Sequence, residues 1–156
     1  MKLTRGSRES RSWRHPWEDL EDIDYFSVLS HEALRRASRH VDRVDVAEGV
    51  TLQRQGMAAR WLWIPESGVL QLRRDGEAVG LVLPGAAYGE RELLLGGPSR
   101  VDVVTAWPST VLSMSAPAWH ALMDVPSFAA AVARRMAHGT VPTGSRVNGD
   151  KGSVAV

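Results

Sequence analysis

The sequence predicts a mainly β domain with helices at both ends, and three observations carry that reading. Between residues 41 and 114 the apolar runs are short and evenly spaced. Glycines punctuate them, at Gly49, Gly56, Gly68, Gly76 and Gly85. On either side of this stretch the apolar spacing turns helical. Short strands divided by glycine argue for an antiparallel barrel or sandwich. The chain's 156 residues suit one domain better than two.

Residues 1–16 read as a disordered basic tail, with Arg5, Arg8, Arg11 and Arg14 at every third position and Lys2 ahead of them. Glu18, Asp19, Glu21, Asp22 and Asp24 then reverse the charge. The arginine ladder could grip phosphates, but folding back on that acidic segment or simple solvation is the better account. Trp17, Leu20 and Asp24 have the spacing of a short amphipathic turn. Ser30 is placed as an N-cap for a helix from His31 to about His40, with Ala33, Leu34 and Ala37 inward.

Strands are expected around Val44 and Val46, Val50 and Leu52, and Trp61 to Ile64, the last ended by Pro65 and Gly68. Val69 to Leu72 leads into the hairpin signal Asp75-Gly76, and Val79, Leu81 and Leu83 share a parity beyond it. Two more strands, at Val101–Val103 and Val111–Met114, flank the turn Trp107-Pro108-Ser109. Trp119, Leu122 and Met123 suit one helical face, and Phe128, Val132 and Met136 suit a second helix after Pro126. His138-Gly139 closes that helix as a C-cap. The expected domain is 17–138, and 139–156 reads as a loose polar tail.

Composition removes several chemistries. There is no cysteine, so disulfides, thiolate zinc sites and cysteine nucleophiles are out. A net charge of +1 gives no global pull toward nucleic acid or an anionic membrane. The histidines His15, His31, His40, His120 and His138 are scattered without metal-ligand spacing, and no nucleophile elbow is present. The expectation is no metal, no cofactor and no catalysis. Without a signal-like apolar run or a membrane-length segment, a cytoplasmic chain is expected.

The segments "DVAEGVTLQRQG", "WLWIPESGVLQL" and "VLPGAAYGERELLLGGPSRVDVV" together resemble the cyclic-nucleotide-binding domain family, over about Leu29 to Met136. The resemblance implies a jelly-roll, or double-stranded β-helix, barrel. The third segment is similar to the family's phosphate-binding cassette, usually Gly-x-x-Phe-Gly-Glu, a short helix, then Pro-Arg and a strand. It implies ligand contacts from Gly89, Glu90, Arg91, Glu92, Ser99 and Arg100, with cyclic AMP or cyclic GMP as the ligand. A helix opening at Gly89-Glu90 would offer unpaired N–H groups to a phosphate, and Glu90 would accept from a ribose hydroxyl.

The sequence departs from that pattern twice. Ungapped, Ser99 stands where ligand-binding members carry the arginine. Arg100 comes one residue late, and on a strand that slip reverses the face. Expanding the Gly96-Gly97 loop by one residue would restore Arg100, but Val103 and "VLSMSAPAW" fit the ungapped register better. Glu92 replaces the family's usual small residue. Arg73, Arg74, Arg91 and Arg100 could form a substitute anion site, although solvated strand and turn residues is the plainer reading. Trp61 and Trp63 share a strand face and could stack a ring, but core or edge packing is the commoner use.

The function expected is a non-enzymatic regulatory module that senses a cyclic nucleotide and moves its C-terminal helix to signal to a separate partner. The alternative is a degenerate domain of the same fold, without nucleotide, serving as an interaction or scaffold module. Partner classes left open are a cyclic nucleotide, a protein and a second copy in a homodimer. DNA is disfavoured, since the residues after the last helix are too few and too polar for a helix-turn-helix.

Overall fold

The computed structural model describes residues 20–138. The arginine ladder, Trp17, Glu18, Asp19, Gly139 and the polar tail lie outside the described residues. Among the described residues the following elements run in order: α1 (His31–Ser38), β1 (Val41–Val46), β2 (Thr51–Gln53), β3 (Trp61–Ser67), β4 (Leu70–Arg74), β5 (Glu77–Val82), α2 (Glu90–Leu95), β6 (Asp102–Thr105), β7 (Ser109–Ser115), α3 (Ala116–Leu122) and α4 (Pro126–Ala137). A 3-10 turn, Asp24–Phe26, precedes them.

The strands form two antiparallel sheets, ordered β1-β7-β3 and β2-β6-β4-β5. They face each other as a jelly roll and are not hydrogen-bonded into one closed barrel. The first sheet is covered on both sides. Leu62, Ile64, Leu112 and Met114 pack with the helices, while Trp63 and Val111 pack with Leu70, Leu72, Val82 and Val103 of the second sheet. A strand buried on both faces loses its alternation, which is why Leu62, Trp63, Ile64 and Pro65 are buried in succession.

Local chemistry explains most boundaries. The Ser30 hydroxyl accepts from the Ala33 amide, the cap that starts α1. That helix stops at Ser38, two residues short of the expected His40. Asp75 and Gly76 both take positive φ, 52° and 83°, as a tight two-residue hairpin requires. Ser115 caps α3 in the same way as Ser30.

Two strand expectations need correction. Pro65 lies inside β3, because β3 is an edge strand of its sheet and needs no donor there. A register shift between Pro65 and Ser67 follows it. In β5 the buried positions are Gly80 and Val82, while Val79 and Leu83 are exposed. A register shift between Leu72 and Arg73 of β4 accompanies this change of phase.

The helical core centres on aromatic residues that the apolar periodicity did not single out. Tyr25 and Phe26 are buried, and the Tyr25 ring meets Phe26 and Phe128 edge-on at 5.2 and 5.6 Å. The indole N–H of Trp119 donates to the Tyr25 hydroxyl at 2.9 Å, so a fully buried tryptophan keeps its hydrogen bond. Phe128→Ala should lower unfolding stability by about 3–5 kcal/mol in urea titrations. Trp107→Ala, at a side chain 61% exposed, should stay within about 0.5 kcal/mol.

Candidate functional site

The segment after β5 runs back along the open edge of β3. Gly85 N donates to Pro65 O at 2.9 Å, and Trp63 and Tyr88 exchange two backbone bonds of 2.9 and 2.8 Å. At the next residue the chain crosses β3 so closely that a Cβ on Gly89 would lie 2.7 Å from Trp61 O. Its φ of 121° also lies outside what other residues adopt readily. Helix α2 starts there, and its first residues line a cavity of about 480 Å³. That size is ordinary for a small-molecule site.

Three parts enclose the cavity. The cassette contributes the run from Gly85 to Glu92, the second sheet contributes Leu72, Arg74, Val79, Arg100 and Val101, and the helical layer contributes Asp24, Tyr25, Arg135 and Met136. Of the residues expected to contact ligand, Gly89, Glu90, Arg91, Glu92 and Arg100 line it, and Ser99 does not.

Glu90 is already engaged. Arg135 of α4 donates through Nε to both carboxylate oxygens at 3.1 Å and through Nη2 to Oε1 at 2.5 Å. The same guanidinium lies over the Tyr25 ring, 4.8 Å from its centroid. Burial alone would lower the Arg135 pKa, but the bond and charge of Glu90 outweigh it and raise it. Burial, followed by the Glu90 charge, holds the Tyr25 hydroxyl well above its usual range. Trp119, Tyr25, Glu90 and Arg135 thus form one connected network closing the cavity from the helical side.

Glu92 is buried in the cavity wall, and the Tyr88 hydroxyl donates to it at 2.8 Å. Burial and then the Glu92 charge push the Tyr88 hydroxyl far up, while Arg100 and Arg74 pull the other way. The family's small residue is therefore replaced by a carboxylate that carries its own donor.

Ser99 and Arg100 correct the sequence reading. Ser99 is 2% exposed, with backbone bonds to Met57 O and Gly56 N that tie it to the β2–β3 turn. Its hydroxyl accepts from Gln53 Nε2 at 2.7 Å and donates to Val101 O at 2.7 Å, and Gln53 accepts from the Trp63 indole. Arg100 faces the cavity. The alternation argument fails here because residues 100 and 101 form a bend and β6 begins only at Asp102.

The remaining candidates divide. Arg74 and Arg91 line the cavity, while Arg73 donates to Gln71 on the exposed side. Neither Trp61 nor Trp63 lines it; their rings stand 6.3 Å apart, the first 40% exposed and the second buried. Tyr25 and Arg135 escaped sequence reasoning. Arg135 reads as an ordinary cation in a helix's last turn, and nothing in local spacing reveals a partner 45 residues away. Among the described residues no histidine–carboxylate group could hold a metal ion, and no helix is long and apolar enough to cross a membrane.

Known proteins give the arrangement its context. The chain is 28% identical over 89 residues to a cAMP-dependent protein kinase regulatory subunit of Yarrowia lipolytica, covering 57% of this chain and 24% of that one. The chain thus spans about a quarter of that relative's length. The fold matches the sensor domain of the transcriptional regulator DNR from Pseudomonas aeruginosa, with a TM-score of 0.70 at 19% identity over 78% of this chain and 86% of that one. It also matches the regulatory subunit of a cAMP-independent protein kinase A from Trypanosoma brucei, with a TM-score of 0.69 at 19% identity over 77% and 44%. The family model of the cyclic nucleotide-binding domain matches residues 43–125, from within β1 through the whole cassette to just past α3, and the chain belongs to that family.

Proposed function

We propose that this chain is a non-enzymatic regulatory module that takes a cyclic nucleotide, cyclic AMP or cyclic GMP, in the cassette cavity and reports its presence through α4 to a separate protein. The observation that supports this most is the Glu90–Arg135 pair. Glu90 is the carboxylate suited to a ribose hydroxyl, and its partner sits on the C-terminal helix. A ligand hydroxyl bonding Glu90 competes with Arg135, so occupancy and helix position are linked through one side chain. No catalytic step is part of the proposal: the cavity offers arginines, tyrosines and internally matched carboxylates, without a base poised beside a nucleophile.

A second reading, an interaction module without nucleotide, is favoured by Glu92. A carboxylate in the cavity wall, matched by a neutral phenol and not by a cation, opposes an anion at the start of α2, and Glu90 is already held by Arg135.

Titrating cyclic AMP and cyclic GMP while following the amides of Gly89, Glu90, Glu92 and Arg100 by NMR separates the two. Saturable shifts that also move residues of α4 are expected. Unchanged spectra at millimolar nucleotide would rule out sensing of these two ligands and leave the interaction reading, to be pursued by pull-down with and without residues 1–24.

The cavity also has an alkaline signature. Tyr25 and Tyr88 are the chain's two tyrosines, and both hydroxyls are held above their ordinary pKa. A raised folded-state pKa gives stability that is fully present below the unfolded value of about 10 and is lost as pH climbs past it. Phenolate absorbance should therefore stay absent as pH crosses about 10 and rise only with unfolding. Reversible phenolate formation near that pH, with the far-ultraviolet spectrum unchanged, would show the tyrosines open to solvent. Tyr88→Phe, which strips the donor from Glu92, should cost about 1–3 kcal/mol.

A further inference from the structure

One oxygen of a buried carboxylate in the cavity wall has nothing to bond. Glu92 is 6% exposed and lines the cavity. Its Oε1 accepts from the Tyr88 hydroxyl at 2.8 Å, and among the described residues it has no other polar partner. Its Oε2 is unpartnered yet not sealed within the core, so it opens on the cavity. A sheltered carboxylate oxygen is satisfied by a donor. The wall is therefore set for a ligand that brings one.

The surrounding charges narrow the class of ligand. An anion at the start of α2 meets the Glu92 carboxylate with little water between them. A cation meets Arg74, Arg91 and Arg100, three guanidiniums that line the same cavity. The pull of Arg100 and Arg74 on the Tyr88 hydroxyl shows their positive potential reaching the Glu92 wall. Either sign of ligand charge is thus opposed somewhere in the cavity, and an uncharged ligand with hydroxyl donors is opposed nowhere. Leu72, Val79, Val101 and Met136 add apolar surface for a flat ring.

We propose that the cavity takes an uncharged nucleoside, one ribose hydroxyl donating to Glu92 and another to Glu90, and holds it more tightly than the corresponding cyclic phosphate. This rests on the proposal that the cavity takes a ribose at Glu90, and it names a second ligand class for the same site. In a cyclic phosphate the two ribose oxygens bound to phosphorus carry no hydrogen. In the free nucleoside the same two oxygens are hydroxyls and can donate. Glu92 therefore faces like charge in the first ligand and a charge-assisted hydrogen bond in the second. A wall built to accept from a hydroxyl discriminates against a ligand without one.

The test is calorimetric titration of the full chain with adenosine, guanosine, cyclic AMP and cyclic GMP. Adenosine or guanosine should bind about tenfold or more tighter than its own cyclic phosphate. Removing the hydroxyl that meets Glu92, by using the 3′-deoxy or the 5′-deoxy form of that nucleoside, should weaken binding about ten- to a hundredfold. This comparison needs no protein variant, so it stands whether or not a substitution folds. Glu92→Gln keeps the size of the side chain and one acceptor while removing the charge. Its nucleoside affinity should fall about tenfold and its cyclic phosphate affinity should rise about tenfold. Binding of a cyclic phosphate as tightly as its nucleoside, or tighter, by wild type overturns the inference and leaves the sensor reading standing. Nucleoside binding that ignores both missing hydroxyls and Glu92→Gln overturns the role of Glu92, and the inference with it. Nucleoside binding without any binding of the cyclic phosphates upholds the inference and removes the cyclic ligand from the sensor. Failure of all four compounds to bind overturns both readings.

Discussion

The structure depends on a crossing where no side chain fits. Gly89 passes over the backbone of β3 at a distance that excludes even a methyl group. Immediately before it, the paired backbone bonds of Trp63 and Tyr88 fasten the loop to the strand. With the chain held at that point, Tyr88 turns toward Glu92, α2 starts at a set place, and Glu90 emerges within reach of α4. Move the crossing outward by the width of a methyl and each of these placements fails together. The glycine is therefore a positional constraint on the site more than a requirement of the turn.

Charge in the cassette follows from how its two carboxylates are sheltered, Glu92 buried and the Glu90 side chain 11% exposed. A buried carboxylate needs a donor or a counter-charge, and each of the two in the cassette has found one within the protein. Glu90 takes a forked guanidinium, and Glu92 takes a phenol. These solutions differ in kind. The first joins two elements distant in sequence. The second is local, spanning one helical turn, and stiffens the cassette wherever α4 stands. Removing either partner would leave the other buried and unmatched, which is worse than never having had the pair.

Much of the fold was legible because its signals are local. Ser30 before Ala33-Leu34, Asp75-Gly76 between two apolar runs, and Gly89-Glu90 opening a short helix each act through neighbouring residues. The errors share the opposite cause. Pro65 is tolerated because β3 lies at a sheet edge, and the burial of Val82 rather than Val79 accompanies a register shift in the partner strand. The placement of Arg100, and not Ser99, at the cavity turns on a bend that postpones β6. None of these is visible without the neighbouring strand. At the site, the cassette could be read from its spacing, but its closure could not. Tyr25 and Arg135 meet Glu90 from far away in sequence, Arg135 from 45 residues on, and neither sits at a position that periodicity marks.

The loop that shapes the cavity also occupies the free edge of β3. Trp63 gives its N–H and C=O to Tyr88, Pro65 has no N–H to give, and its carbonyl is taken by Gly85. An uncovered strand edge is a template on which another chain can add. Here the binding cassette doubles as the guard of that edge. A substitution that loosened the loop would therefore do two things at once: blunt recognition and uncover a row of backbone donors and acceptors. Loss of the cavity's shape and the onset of self-association would then arise from the same few residues, and the cassette would be constrained by solubility as well as by the cavity that it shapes.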